Sequence, residues 1–192
     1  MIKKFAAAAA ILALAAGAHA ASVSVTAGEQ PTDSSLTGTY VAAGASSGVL
    51  TFDLNGYASL DGANFYEDDF SLIVNGATVF TGTFDLGGGG TNVVYTDTNG
   101  ATFTGGTAGS WAGGTLSFTV PVALLAGNNT FTFAYASLPG PNFAGFQGTG
   151  DEGWGVANVS VTSAVPEAGS LAMMLAGLGI VGGLARRRAA RG

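Results

Sequence analysis

The side chains able to do chemistry in this chain are acids, and they come in short clusters. Between residues 21 and 163 lie 11 of the 12 Asp and Glu residues, and six of them fall in Asp61-Gly62-Ala63-Asn64, Glu67-Asp68-Asp69 and Asp151-Glu152. All six Lys and Arg residues and the single His fall outside that stretch, and there is no cysteine. Ser–His–Asp and Cys–His nucleophiles are therefore unavailable, as are thiolate and imidazole metal sites. Carboxylate chemistry remains, in two forms. Carboxylates, amides and carbonyls are the hard oxygen ligands that Ca²⁺ takes, about six to eight at a time. Asp61, Asn64, Glu67, Asp68, Asp151 and Glu152 are the candidate ligands, although their order is not that of an EF-hand loop. Paired acids can also hydrolyse a glycoside when two carboxyls flank the bond about 5–9 Å apart. The plainest reading of the same residues is solvated loop acids ahead of strands, and no residue is assigned a catalytic role.

The charge balance narrows the partners. Residues 21–163 carry a formal charge of −11, so nothing is present to neutralise phosphates, which excludes nucleic acid and anionic lipid. Cations are the natural companions of such a surface. Exposed aromatic rings beside acids and amides suit a carbohydrate, whose apolar face lies on a ring while its hydroxyls find hydrogen-bond partners. Tyr57, Tyr66, Trp111, Phe143, Phe146 and Trp154 lie in or next to loops. Tyr66, Trp111, Phe143 and Phe146 are the glycan candidates, with core filling as the plainer role for each; Trp154 is expected in the core. A flat Thr array for ice binding would need a fixed short repeat, and the Thr spacing between residues 81 and 107 drifts.

The elements that must position these groups read as strand throughout. Ser22–Thr26, Gly48–Leu54, Phe70–Asn75, Thr78–Phe84, Thr115–Val122, Thr130–Tyr135 and Ala157–Thr162 are short runs rich in Val, Thr and Phe. Leu116, Phe118, Val120 and Val122 fall on one face, as do Phe131, Phe133 and Tyr135, the period-two pattern of a strand with one buried side. Asn75-Gly76 between apolar runs predicts a two-residue type I′ hairpin. Ala123–Ala126 is expected to form at most one helical turn, and Gly87–Gly90 a loop. Short strands between Gly-, Asn- and Asp-rich turns predict an all-β antiparallel sandwich, jelly-roll-like, held by its core without disulfides.

The two ends of the chain are of another kind. Lys3 and Lys4 precede the charge-free run Phe5–Gly17, and Ala18-His19-Ala20 gives the small-x-small pattern of signal peptidase. A signal peptide over 1–20, cleaved after Ala20, is expected. The C-terminal segment 164–192 has Val165-Pro166-Glu167, an uncharged run over 168–185, and a basic tail over 186–192 opened by Arg186, Arg187 and Arg188. Eighteen residues without a charge are just long enough to cross a hydrocarbon core of about 30 Å. A single transmembrane helix with the arginines inside and residues 21–163 outside is expected.

Pro166-Glu167, the apolar run Leu171–Ala185 and Arg186–Arg188 resemble the PEP-CTERM sorting signal, with Ala168 where the second proline is usual. The resemblance implies export, recognition by an exosortase-type sorting enzyme, and life at the cell surface or in an exopolysaccharide matrix. Leu50–Leu54, Leu60-Asp61-Gly62, Asn75-Gly76, Gly87–Gly90 and Asp151–Val159 are similar to ectodomains that recur among such proteins, which resemble galactose-binding-like jelly rolls. Ala157 stands where an Asp is common in their last strand. That second likeness implies carbohydrate binding.

The expectation is thus a non-enzymatic exported β-sandwich that binds exopolysaccharide or another glycan, with calcium as a stabilising ion. A structural or adhesive matrix protein without a glycan site is the alternative, ahead of a carboxylate glycosidase or an ice-binding protein.

Overall fold

The structure, a computed structural model, describes residues 19–25, 28–163 and 168–189. The signal-peptide reading on residues 1–18 and the Pro166-Glu167 dipeptide lie outside the described residues. Those residues form β1 (His19–Ser22), β2 (Gln30–Pro31), β3 (Ser34–Ala42), β4 (Ser46–Gly56), β5 (Leu60–Asp61), β6 (Asp68–Val74), β7 (Ala77–Thr83), β8 (Gly87–Gly89), β9 (Val93–Asp97), β10 (Thr102–Thr107), β11 (Gly114–Leu124), β12 (Gly127–Ser137), β13 (Pro139–Gly140), β14 (Phe143–Ala144), β15 (Gly153–Ser163) and α1 (Ala168–Ala189). The strands and α1 belong to separate units.

The strands make an antiparallel β-sandwich. One sheet runs β1-β15-β4-β11-β10, with β2 also on β15, and the other runs β3-β12-β6-β7-β9. Leaving aside the edge strands β9 and β10 and the two- and three-residue strands, the eight long strands in chain order fall as 1-8-3-6 and 2-7-4-5. That is the jelly-roll arrangement of two interlocked Greek keys. The expected fold class is the observed one.

Period-two alternation builds the core. Leu116, Phe118, Val120 and Val122 of β11 face Phe131, Phe133 and Tyr135 of β12, all buried. Phe52 and Phe118 stack with ring centroids 4.8 Å apart, and Phe133 meets Phe52 edge-on at 4.9 Å. Trp154 is fully buried, as expected, and its Nε1 donates to Pro31 O at 2.8 Å. The hairpin is also as expected: Asn75 and Gly76 both take positive φ, 52° and 83°, between the paired residues Val74 and Ala77.

Four local expectations are corrected. Of the run expected over Ser22–Thr26, only Ser22 lies in a strand among the described residues: β1 ends there, although Val23 N still donates to Val159 O at 2.9 Å, and Thr26 lies outside the described residues. Cleavage after Ala20 would remove the first two residues of β1. Ala123 and Leu124 end β11 rather than opening a helical turn, because Leu124 faces the core and β11 stays paired to Ser46 of β4. Gly87–Gly89 is not wholly loop; it pairs in parallel with Leu60–Asp61. Strands β3, β9 and β10 were absent from the sequence reading.

In α1, 22 residues long, Arg186, Arg187 and Arg188 occupy the last turn and complement the helix dipole. Among the described residues no helix is long and apolar enough to cross a membrane. Five glycines at 169, 177, 179, 182 and 183 and the terminal arginines dilute its apolar character.

Candidate functional site

The sandwich has a loop end and a turn end. At the loop end, residues 57–67, 84–92, 108–113 and 138–152 connect successive long strands, and residues 28–33 pass beside them. Backbone hydrogen bonds knit these segments together. Ala144 N donates to Phe65 O, Leu138 N to Glu67 O, Ser59 N to Asp151 O, Gly113 N to Ala58 O, and Trp111 N to Gly87 O, all within 2.8–3.0 Å.

The acid clusters meet here, but not as solvated loop acids. Asp68 and Glu152 are 0% and 1% exposed, and Asp61 and Glu67 are also buried. Asp68 Oδ2 accepts from Asp61 N at 3.0 Å, and Asn64 Nδ2 donates to Asp61 Oδ1 at 2.7 Å. Ser137 Oγ lies 2.6 Å from Asp68 Oδ1, 2.9 Å from Glu152 Oε2 and 2.6 Å from Thr32 Oγ1. Glu152 Oε2 also accepts from Gln147 N at 2.7 Å. Ser137 has one hydroxyl proton and cannot donate to both carboxylates. A neutral Asp68 donating to Ser137, which donates to Glu152, satisfies the chain of oxygens.

Burial works in the same direction. It lifts the Asp68 carboxyl to about 7, with Glu152 and Asp61 adding repulsion and the Asp61 N–H and Ser137 opposing. Asp69 is lifted to about 6 by burial and by Glu67. Asp61 and Glu152 are also raised, burial being the largest cause for each. No lysine or arginine lies in residues 21–163 to offset this.

As a calcium cage the six candidate ligands do not converge. Glu67 turns to the Tyr95 hydroxyl and Asp151 to Ser59. That leaves Asp61 with Asn64, and Asp68 with Glu152 across Ser137. Among the described residues no three acidic side chains come together closely enough to hold a metal ion. Glu152 Oε1 and Asp69 Oδ1 are buried without a hydrogen-bond partner among the described residues.

The aromatic candidates divide between two places. Tyr66 packs edge-on against Phe65, centroids 5.1 Å apart, and both rings are about half exposed. The Ala144 N–Phe65 O bond brings the Phe143–Phe146 segment beside them; Phe146 is exposed and Phe143 half-buried. Trp111 stands on a different loop, 62% exposed, with φ 58°. A left-handed backbone is costly for a bulky residue, and the Trp111 N–Gly87 O bond holds it. Thr32, Ser137 and Phe65 were missed in the sequence. The first two carry no local signal, whereas Phe65 adjoins Tyr66 in the same polar loop.

Outside the sandwich, Pro166-Glu167 leads into a helix whose last turn holds three arginines. Residues 164–189 match the PEP-CTERM protein-sorting motif. The chain therefore carries the sorting signal of an exported protein. No curated protein matches the chain by sequence. Among solved structures it is similar to a family 35 carbohydrate-binding module from Cellvibrio japonicus Abf62, at 16% identity over 68% of this chain and 70% of that one, TM-score 0.30. A family 35 module from an environmental isolate is 12% identical over 79% of this chain and 95% of that one, TM-score 0.32. A Xyl-CBM35 in complex with a glucuronic acid containing disaccharide is 16% identical with the same coverages, TM-score 0.29.

Proposed function

We propose that this is a non-enzymatic exported protein that binds glycan at its loop end, sorted through residues 164–189. The observation that carries the reading is the exposed edge-on pair Phe65–Tyr66, tied by the Ala144 N–Phe65 O bond to the segment that carries exposed Phe146, in the same loops as the buried network of acids, hydroxyls and amides. Rings of this kind stack on the apolar faces of sugars, and the network holds the loops that present them. In this reading the sorting segment 164–189 anchors the chain transiently at the membrane, an exosortase-type enzyme processes it, and the protein ends at the cell surface or in the exopolysaccharide matrix. A signal peptide over 1–20 supplies export.

Calcium is a proposal of narrower scope. The acids are not a preformed cage, so an ion would have to draw Asp61, Asp68 and Glu152 off their present partners. It would register as a calcium-dependent rise in Tm that EDTA reverses.

The test of the main reading is titration of the full-length chain, in mild detergent, with the producer's exopolysaccharide, with calcium and with EDTA. Saturable binding, weakened about tenfold by Tyr66→Ala with Phe146→Ala at unchanged Tm, is expected. Absence of heat in both conditions would leave the alternative, an adhesive matrix protein without a glycan site.

A further inference from the structure

A second feature lies away from the Phe65–Tyr66 rings, on the outer face of the six-stranded sheet where it meets the loops. A hollow of about 470 Å³ is lined by Asn55, Tyr57, Gly106, Ala108, Ala112 and Thr115, among others. That volume falls within the roughly 300–1,000 Å³ of ligand clefts.

The strand register explains how it forms. Gly155 of β15, Asn55 of β4, Thr115 of β11 and Gly106 of β10 stand in one row across the sheet. Alternation sends their neighbours Val156, Leu54 and Leu116 into the core, so this row faces out. Gly106 lines the hollow together with Gly56 and Gly114, which keeps its floor low, whereas Gly155 is buried under the Tyr57 ring and the Gly28 carbonyl. A Cβ on Gly155 would come within 3.1 Å of the Tyr57 ring and hydroxyl, so the ring rests against that backbone. At Gly106 a Cβ would meet open space. Tyr57 remains 44% exposed. The loop that supplies Ala108 and Ala112 also carries Trp111, the exposed tryptophan with left-handed backbone.

Polar groups continue beyond the hollow. Thr115 Oγ1 donates to Asn55 Oδ1 at 2.8 Å, leaving the Asn55 amide N–H groups as donors. One row further along the same face, Asp53 accepts from Ser117 Oγ and from Asn158 Nδ2, each at 2.6 Å.

We infer that this face is a second glycan site, which takes a stretch within a neutral, hydroxyl-rich polysaccharide. An aromatic wall, a glycine floor and a line of amide, hydroxyl and carboxylate partners suit a sugar, one residue over the Tyr57 ring and the next toward Asp53. Charge sets the class. No Lys, Arg or His in residues 21–163 is available to meet a uronate, sulfate or phosphate, and Asp53 repels one. The site needs no calcium and no residue of the Tyr66–Phe146 surface.

The test titrates the full-length chain in mild detergent with cellohexaose, xylohexaose and mannohexaose, and with polygalacturonate as the anionic probe, by calorimetry and saturation-transfer NMR. At least one neutral hexaose is expected to bind in EDTA, and polygalacturonate not to bind in EDTA. Tyr57→Ala should weaken the neutral ligand about tenfold. Thr115→Tyr, an exposed strand position that accepts an aromatic, should block the hollow while the fold is kept, and decides the matter if Tyr57→Ala fails to fold. Loss in these variants with retention in Tyr66→Ala/Phe146→Ala would support this site and count against the loop-end reading. Binding lost only in the loop-end variant would do the reverse. Binding of no neutral hexaose, or binding unchanged by both sheet-face variants, would overturn the inference.

Discussion

The two ends of the sandwich are built on different principles. At the turn end, residues 43–45, 75–76, 98–101 and 125–126 reverse the chain in two to four residues, and the last two of these reversals are held by a side chain close by in sequence. Asp97 Oδ1 accepts from the backbone N–H groups of Asn99, Gly100 and Ala101. Asn129 accepts from Leu125 N and donates to Leu125 O and Gly127 O. At the loop end the partners come from far away: Ser137 joins Asp68, 69 residues earlier, to Glu152, and Thr32 reaches Glu152 across 120 residues. Local chemistry closes one end so that long-range chemistry can hold open the other.

That contrast can be broken at several points. The largest effect is expected at the turn end. Asn129 is fully buried and also accepts from Asn75 Nδ2 at 2.9 Å, so Asn129→Ala removes four hydrogen bonds that tie the Leu125–Gly127 backbone and Asn75 together. A loss of about 3 kcal/mol is expected, read as a lower denaturant midpoint with glycan affinity unchanged.

Next comes a pH response that belongs to the loop end. Asp68 and Asp69 have folded values of about 7 and about 6, above the roughly 3.9 of an unfolded aspartate. The fold therefore binds protons that the unfolded chain has released. Their contribution is complete below about pH 4 and is lost as pH rises through 6 and 7. Without added cations, Tm should fall by about 5–10 °C between pH 5 and pH 8. Asp68→Asn should flatten that slope. A Tm that rises over this range would mean that the acids ionise without cost.

The smallest effect sharpens the local side of the comparison. Gly76 has φ 83° with open space around the missing Cβ, so Gly76→Ala costs conformation alone. About 1 kcal/mol is expected in thermal melts, and the pH slope should not move. A change in that slope would show that the ends are coupled.

The same division governs how much could be read from residues alone. The β11 alternation and the Asn75-Gly76 hairpin were legible because their information is local. β3 was missed because its inward positions include Gly38, where a Cβ would come within 2.5 Å of Val23 Cγ1; the partner's bulk replaces a hydrophobic signal. β9 and β10 are edge strands with mostly exposed residues, so they lack the alternation that marks a half-buried strand. The acids and loop aromatics could be listed from the sequence. The burial of Asp68 and Glu152 could not, because the hydroxyls that satisfy them are distant. Nor could the Tyr57 hollow, which depends on the register that lines up Gly155, Asn55, Thr115 and Gly106.

β15 has a mechanical consequence. It begins at Gly153 beside the loops, ends at Ser163 just ahead of the sorting segment, and is hydrogen-bonded to β4 along one edge and to β1 and β2 along the other. Tension between a tethered C-terminus and a polymer held at the loops would run along its 11 residues, a length of about 36 Å. The ladder to β4 would then be loaded in shear, its bonds sharing the pull together, rather than being peeled open one pair at a time.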